Sequence, residues 1–284
     1  MNSSKTYGGI FFIFLAVLFF SIQDAQVKYL SNVYNIFYII WIKSLSQFVL
    51  VYIFLRYNKK ENFFYSKNYK IQIFRGVSYS AATILYFFGL KYLELSVAVS
   101  LSFVAPFLVS LFGYFLLKEK VSLRRWLTII LGFSGVLIIT RPGLIEFNYA
   151  FLFVLSAAIF WALFQILSRY LKEDGAYNML MISSLVGFLI SSTYVSFFWE
   201  GIKNFNLFII LSCLGIWASL AEYFLIKAYS LAKASIIAPF FYFMMVWYTV
   251  FGYLFFAEIP DFYTLFGCFV LIIFGIINLK LSNK

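Results

Sequence analysis

Four ionisable residues, Asp24, Lys43, Arg75 and Glu222, stand inside apolar stretches of this 284-residue sequence. A charge near the middle of a bilayer costs about 2.5–3.5 kcal/mol even on the lenient insertion scale, so such a residue faces a partner or a wet cavity. Ion pairing, proton binding and the holding of a charged solute are the chemistries open to this set. Bond-breaking chemistry has little to work with. There is no histidine, which removes the commonest general base and metal ligand. No DxxxD pair, Walker sequence or CxxC motif occurs, and Cys213 and Cys268 lie singly in apolar runs, where they read as small core residues. No catalytic residue, metal site or cofactor is therefore assigned.

The elements that position these charges are membrane spans. Hydrophobic residues make up 64% of the chain and charged ones 12%, about half the charge of a soluble domain at roughly 25%. The set of residues used heavily (Phe, Ile, Tyr, Asn, Lys) is one that AT-rich codons favour, so the aromatic count alone carries no argument. A span needs about 20 apolar residues, and ten stretches qualify: 8–30, 36–56, 71–91, 95–117, 123–140, 148–170, 178–199, 206–228, 234–256 and 262–280. The first has the look of a signal-peptide core, but no A-x-A site follows it and nine more spans do. With the N-terminus inside, seventeen Lys and Arg fall on the inner side (Lys59, Lys60, Lys118, Lys120, Arg124 and Arg125 among them). Four fall outside: Lys28, Lys91, Arg141 and Lys203. That bias predicts both termini in the cytoplasm. It also assigns the net charge of +11 to topology and anionic lipid rather than to nucleic acid.

The sequence repeats itself. A shift of 139 residues lays Ser96–Glu119 on Ser235–Glu258, with Ser96/Ser235, Phe112/Phe251, Gly113/Gly252, Tyr114/Tyr253 and Glu119/Glu258 identical. A weaker echo aligns Lys28-Tyr29-Leu30 with Arg169-Tyr170-Leu171, preceded by Ala16/Ala157 and Phe19/Phe160. Two units of about 140 residues follow: 8–141 with helices one to five, and 148–280 with helices six to ten. Five spans is an odd number, so the second unit enters from the opposite face and the repeats are inverted. The expected fold is thus an all-α membrane protein of ten transmembrane helices in two inverted five-helix repeats. Such repeats are a transporter architecture with a midplane site and alternating access.

The stretch GLKYLELSVAVSLSFVAPFLVSLFGYFLLKEKVSLRRWLTIILGFSGVLIITRPG resembles the first EamA repeat of the drug/metabolite transporter superfamily, and IKAYSLAKASIIAPFFYFMMVWYTVFGYLFFAEIPDFYTLFGCFVLIIFGI resembles its second. DAQVKYL and Arg75-Gly76 fit as well, so the resemblance covers nearly the whole chain. It implies ten helices with both termini inside, transport without ATP, and a central cavity lined by helices one to four and six to nine. Two positions depart from the family pattern: Gly89 stands where Ala is frequent, and Glu222 where Gln or His is common.

At about 1.5 Å per residue, Asp24 and Lys43 lie about 7 and 4 Å to the outer side of centre, and Glu222 and Arg75 about 7 and 9 Å to the inner side. Asp24 with Lys43, and Arg75 with Glu222, are the expected pairs. Simpler readings stand beside them: an i,i+4 bridge from Asp24 to Lys28, snorkelling for Lys43, and a headgroup anchor for Arg75. Ser100, Ser102, Trp161, Gln165, Trp217 and Tyr242 offer hydrogen bonds and stacking faces to a solute, or fill the core. Pro106 and Pro239 read as kinks or hinges in the cavity wall, and Gly113 and Gly252 as sites of close helix contact. Glu222 is expected to bind a coupling proton or a cationic group. The function expected is secondary active transport of a small polar or amphipathic metabolite across a prokaryotic inner membrane, by a monomer or homodimer. A lipid flippase of the same fold and a membrane-embedded enzyme are the rival readings.

Overall fold

The computed structural model describes residues 3–58, 62–90, 92–93, 98, 101–119, 122–140, 149–256 and 261–282, and these are helical throughout apart from their connections. The helices are α1 (Ser3–Ser31), α2 (Ile36–Tyr57), α3 (Tyr69–Leu90), α4 (Ala105–Leu116), α5 (Leu123–Thr140), α6 (Ala150–Tyr170), α7 (Ala176–Tyr194), α8 (Phe205–Leu231), α9 (Phe243–Phe256) and α10 (Phe262–Ser282). Among the described residues six helical segments are long and apolar enough to cross a membrane: Lys5–Ser31, Ile36–Tyr57, Ala150–Tyr170, Ala176–Phe198, Phe205–Leu231 and Ala234–Phe255. In hydrocarbon only a helix satisfies every backbone group within its own segment, so residues of modest helix propensity such as Ile, Val and Phe remain helical here. Large apolar side chains such as Phe11, Phe54, Phe115, Leu189 and Phe205 point outward, a surface that lipid solvates and water does not.

Asparagines set several starts. Asn35 Oδ1 accepts from Phe37 N, Asn68 Oδ1 from Ile71 N, and Asn204 Oδ1 from Asn206 N, each satisfying a donor that the first helical turn leaves open. Gly175, at φ 82°, turns the chain into α7, a conformation that costs a glycine nothing. The connection before α3 is pinned to α7: Asp174 accepts from Ser66 Oγ and Lys67 N, and Asn178 Nδ2 donates to Asn62 O and Tyr65 O.

Pro106 and Pro239 sit where a span is broken, not where a continuous helix is kinked. Pro106 lies in the first turn of α4 after a turn at Phe103–Val104, where its missing N–H has no helical partner to lose. Pro239 lies in a 3-10 segment, Ala238–Tyr242, between the helical turn Ala234–Ile237 and α9.

The packing follows one exchange rule. α1 packs on α8 as α6 packs on α3; α2 on α8 as α7 on α3; α4 on α6 as α9 on α1; and α2·α7 and α5·α10 each map onto themselves. The tight contacts obey it residue by residue. A Cβ on Gly76 would come within 2.9 Å of Val186, and one on Gly215 within 2.5 Å of Gln47 N; a shift of 139 carries Gly76 to Gly215 and Gln47 to Val186. The expected close-contact glycine behaves differently. A Cβ on Gly113 would find only ordinary contacts of 3.6–3.7 Å, and Gly113 O instead accepts from Leu117 N and Glu119 N. Gly252 is buried in α9.

Candidate solute cavity and its charged neighbours

The closest α2–α8 approach, at Gly215, brings two polar stripes together. Lys43 and Gln47 share a face of α2 at i,i+4, and Glu222 stands two turns beyond Gly215 on the same side of α8. Glu222 is completely buried and fully engaged. Its Oε1 accepts from Arg75 Nη2 at 3.1 Å and from Ser183 Oγ, and its Oε2 accepts from Gln47 Nε2 at 2.9 Å. Arg75, also at zero exposure, donates further to Ser168 Oγ at 2.7 Å and Met179 O at 3.0 Å, with its guanidinium 4.6 Å from the centre of the Phe164 ring. One ion pair thus ties α3 and α8 to α2, α6 and α7. Charges buried this deeply are tolerable because each is paired with the other and hydrogen-bonded further, Arg75 to Ser168 and Met179 and Glu222 to Ser183 and Gln47.

The second expected pair is not joined directly. Lys43, 2% exposed, donates from Nζ to Tyr79 Oη at 3.0 Å and lies 4.7 Å from the centre of that ring. Asp24, 8% exposed, accepts from the Tyr248 hydroxyl of α9. Tyrosines, not each other, hold both charges, because α1 packs against α8 and α9 while Lys43 faces α3 and α7.

Two cavities adjoin this cluster. The larger encloses about 750 Å³ of empty space, its open mouth included. Its walls are Phe20, Gln23 and Asp24 of α1, Tyr79, Ala82, Thr83, Tyr86 and Phe87 of α3, Ser102 and Phe103, Ala105 and Pro106 of α4, Ala157, Ala158 and Trp161 of α6, and Phe241, Met244 and Tyr248. Among the described residues Asp24 is the one charged side chain on that wall. Trp161 is held by Phe20, Tyr79, Phe164 and Phe241, with ring centres 5.2–6.1 Å apart. The smaller cavity, about 300 Å³ by the same measure, lies between α2, α3 and α7, with Lys43, Ser80, Ser183, Ser191 and Tyr194 among its lining. Tyr79 and Thr83 line both.

Of the residues singled out in the sequence, Asp24, Ser102, Trp161 and Pro106 line the large cavity and Lys43 the small one. Arg75, Glu222, Gln165, Trp217 and Tyr242 line neither. Gln165 Oε1 accepts from the Tyr229 hydroxyl, Trp217 stacks on Phe19 at 5.9 Å, and Tyr242 Oη donates to Ile129 O at 3.4 Å. Ser100 lies outside the described residues. Tyr79, Gln47, Ser183, Tyr248 and Gln23 were not foreseen. Two of them carried a signal, since Gln47 follows Lys43, and Tyr79 follows Arg75, by four residues on the same helix. Among the described residues no group of three His, Cys, Asp or Glu is placed to hold a metal.

A further cluster closes one end of the bundle. Glu119 Oε1 accepts from Arg169 Nε at 3.3 Å and its Oε2 from Ala234 N at 3.0 Å, while Arg169 Nη1 donates to Tyr229 O and Ser230 O at the end of α8. A carboxylate at a helix start and a guanidinium at a helix end both complement the backbone dipoles.

The profile of the EamA-like transporter family matches the chain twice, over residues 7–141 and 148–279. Among curated proteins, an S-adenosylmethionine uptake transporter of Rickettsia felis is 28% identical over 96% of this chain and 93% of its own length. A riboflavin transporter of Brucella anthropi is 27% identical over 69% of this chain and 71% of its own. A transporter of Helicobacter pylori is 31% identical over 86% and 85%. A crystal structure 15% identical in sequence superposes over the full length of both chains with a TM-score of 0.84, which establishes a shared fold. With the family profile covering both halves and apolar helices long enough to span a bilayer, the chain is a multi-pass integral membrane protein that belongs to the EamA-like transporter family.

Proposed function

We propose that the protein is a secondary active transporter that moves a small organic cation bearing a flat ring across a prokaryotic plasma membrane by alternating access. One observation carries the solute class: among the described residues Asp24 is the only charge on the wall of a cavity built mainly from aromatic and small residues. Aromatic faces attract cations and stack on planar rings, and a carboxylate in so dry a site leaves an anionic solute without a partner. Asp24, Ser102 and Trp161 are the proposed contacts, with the break ahead of Pro106 as the point where the wall bends. S-adenosylmethionine, the solute named for the Rickettsia relatives, has this chemistry, a sulfonium joined to a purine. Riboflavin, named for others, has the flat ring without the cation.

Alternating access draws support from the exchange rule of the packing. Two halves related in that way have two equivalent packings, which differ in the side on which the cavity opens. On this reading the chain crosses the membrane ten times in two inverted repeats, 8–141 and 148–280, with both termini cytoplasmic, in line with the bias of basic residues. Uptake of radiolabelled S-adenosylmethionine and of riboflavin into proteoliposomes tests the solute class. The wild type is expected to accumulate the sulfonium, and Asp24→Asn to lower its initial rate about tenfold, the loss of about 1.4 kcal/mol of attraction. Transport of riboflavin without any transport of the sulfonium would refute the cation reading.

A further inference from the structure

We infer that Lys43 and Tyr194 form an anion subsite, which takes the carboxylate of a zwitterionic solute whose cationic part lies against Asp24. The inference rests on the cationic solute class proposed above and narrows it to compounds that also carry a carboxylate.

Lys43 is a cation with no anion in direct contact, Glu222 and Asp24 attracting it only from a longer distance. Among the described residues no carboxylate lies within 4 Å of Nζ, and its one hydrogen bond goes to Tyr79 Oη. A lysine ammonium carries three donors, so two remain unanswered at 2% exposure. The nearby carboxylates are committed elsewhere, Glu222 to Arg75, Ser183 and Gln47, and Asp24 to Tyr248. The second observation is independent of the first. Tyr194 lines the same small cavity, and its hydroxyl is buried without a hydrogen-bond partner. Buried hydroxyls are almost always paired.

Three other hydroxyls of that cavity are engaged within their own helices. Ser80, Thr83 and Ser191 donate to Gly76 O, Tyr79 O and Phe188 O of their own helices. Lys43 and Tyr194 therefore leave donors open in one polar recess, which Ser44 also lines. A buried charge with no anion in direct contact is costly, and a solute carboxylate supplies that contact. The recess meets the aromatic cavity at Tyr79 and Thr83, which line both. On the far side Gln23 Oε1 is likewise buried with no donor, beside Asp24 in the sequence and on the same cavity wall. A solute lying across Tyr79 thus meets acceptors at one end and donors at the other, the arrangement that an amino-acid head with a cationic substituent requires.

The test compares carboxylate compounds with their decarboxylated twins by thermal shift and calorimetry on the purified, detergent-solubilised protein. The pairs are S-adenosylmethionine with decarboxylated S-adenosylmethionine, methionine with 3-(methylthio)propylamine, and tyrosine with tyramine. In the wild type at least one carboxylate member is expected to bind about tenfold or more tightly than its twin, the value of one charge-assisted contact. Lys43→Met, which keeps the stem and removes the charge, should bring that pair to equal affinity. Tyr194→Phe, which keeps the ring, should narrow the gap several-fold. Equal binding of twins by the wild type, or a gap that survives Lys43→Met, would overturn the subsite and leave the cation site standing. Binding of no member of any pair would overturn the cationic solute class together with the subsite.

Discussion

Arg75 and Glu222 are each buried only because the other is present. Removing one partner of such a pair strands the second charge in low dielectric, at a cost of about 3–5 kcal/mol. Arg75→Met should therefore lower thermal stability in detergent by an amount of that order, since Ser168 Oγ and Met179 O also lose a donor. A melting point within a degree or two of wild type would show that the pair is not a structural hub. Glu222→Gln is gentler, because the amide keeps the volume and one acceptor. A lower melting point with unchanged uptake per folded molecule is expected if Glu222 only braces the bundle. Loss of concentrative uptake with counterflow retained would mark it instead as the site of the coupling proton. Asp24 is a different case. It accepts from the Tyr248 hydroxyl and forms no direct ion pair among the described residues, so Asp24→Asn should cost far less stability while lowering transport of the cationic solute.

At the scale of the helix, the α2–α8 crossing is set by a missing side chain. A Cβ at Gly215 would stand 2.4–2.6 Å from Ser46 Oγ, Gln47 N and Ser46 C, two of them backbone atoms that cannot rotate away. Gly215→Ala should push the helices apart and destabilise the protein by about 1–3 kcal/mol or more. Gly201→Ala, with nothing within 4 Å of its added methyl, serves as the control and should stay within about 0.5 kcal/mol of wild type. Thermal unfolding in detergent reads both. The cluster at the other end of α8 has its own signature. Arg169→Ala releases Tyr229 O, Ser230 O and Glu119 together, and should cost about 1–3 kcal/mol in the same assay.

For the molecule as a whole, the packing is symmetric and the charge is not. Under the 139-residue shift Arg75, Lys43 and Glu222 fall on Leu214, Ile182 and Thr83, and under the 141-residue spacing of the weaker echo Asp24 falls on Gln165. Each half keeps the framework, and the charges of the proposed site are confined to single positions. Alternating access needs the first property, and orienting one polar solute needs the second. Membrane topology is the direct check on the inverted arrangement. Reporter fusions after Lys120 and after Lys284 should read cytoplasmic, and one after Pro142 external. The same side reported after Lys120 and Pro142 would remove the inversion and the two-state mechanism with it.

The sequence by itself determined the class of the molecule. Apolar runs of span length, the bias of basic residues and the 139-residue echo are local or statistical properties, and they are strong because a bilayer leaves a chain few options. The pairing of Arg75 with Glu222 was also legible, since helical rise alone sets both at one depth on the inner side. Depth along a helix axis does not, however, say which way a side chain faces. For that reason Asp24 and Lys43, close in depth, looked like partners, and only the packing showed each turned toward its own tyrosine. Glu222, which looked like a cavity residue, is enclosed by donors from α2, α3 and α7. The breaks at Pro106 and Pro239, the Gly215 contact and the two cavities that meet at Tyr79 likewise depend on distances between helices far apart in the sequence. Those distances exist only once the whole bundle has closed, and they, not the composition, decided where a solute has room and which charges it would meet.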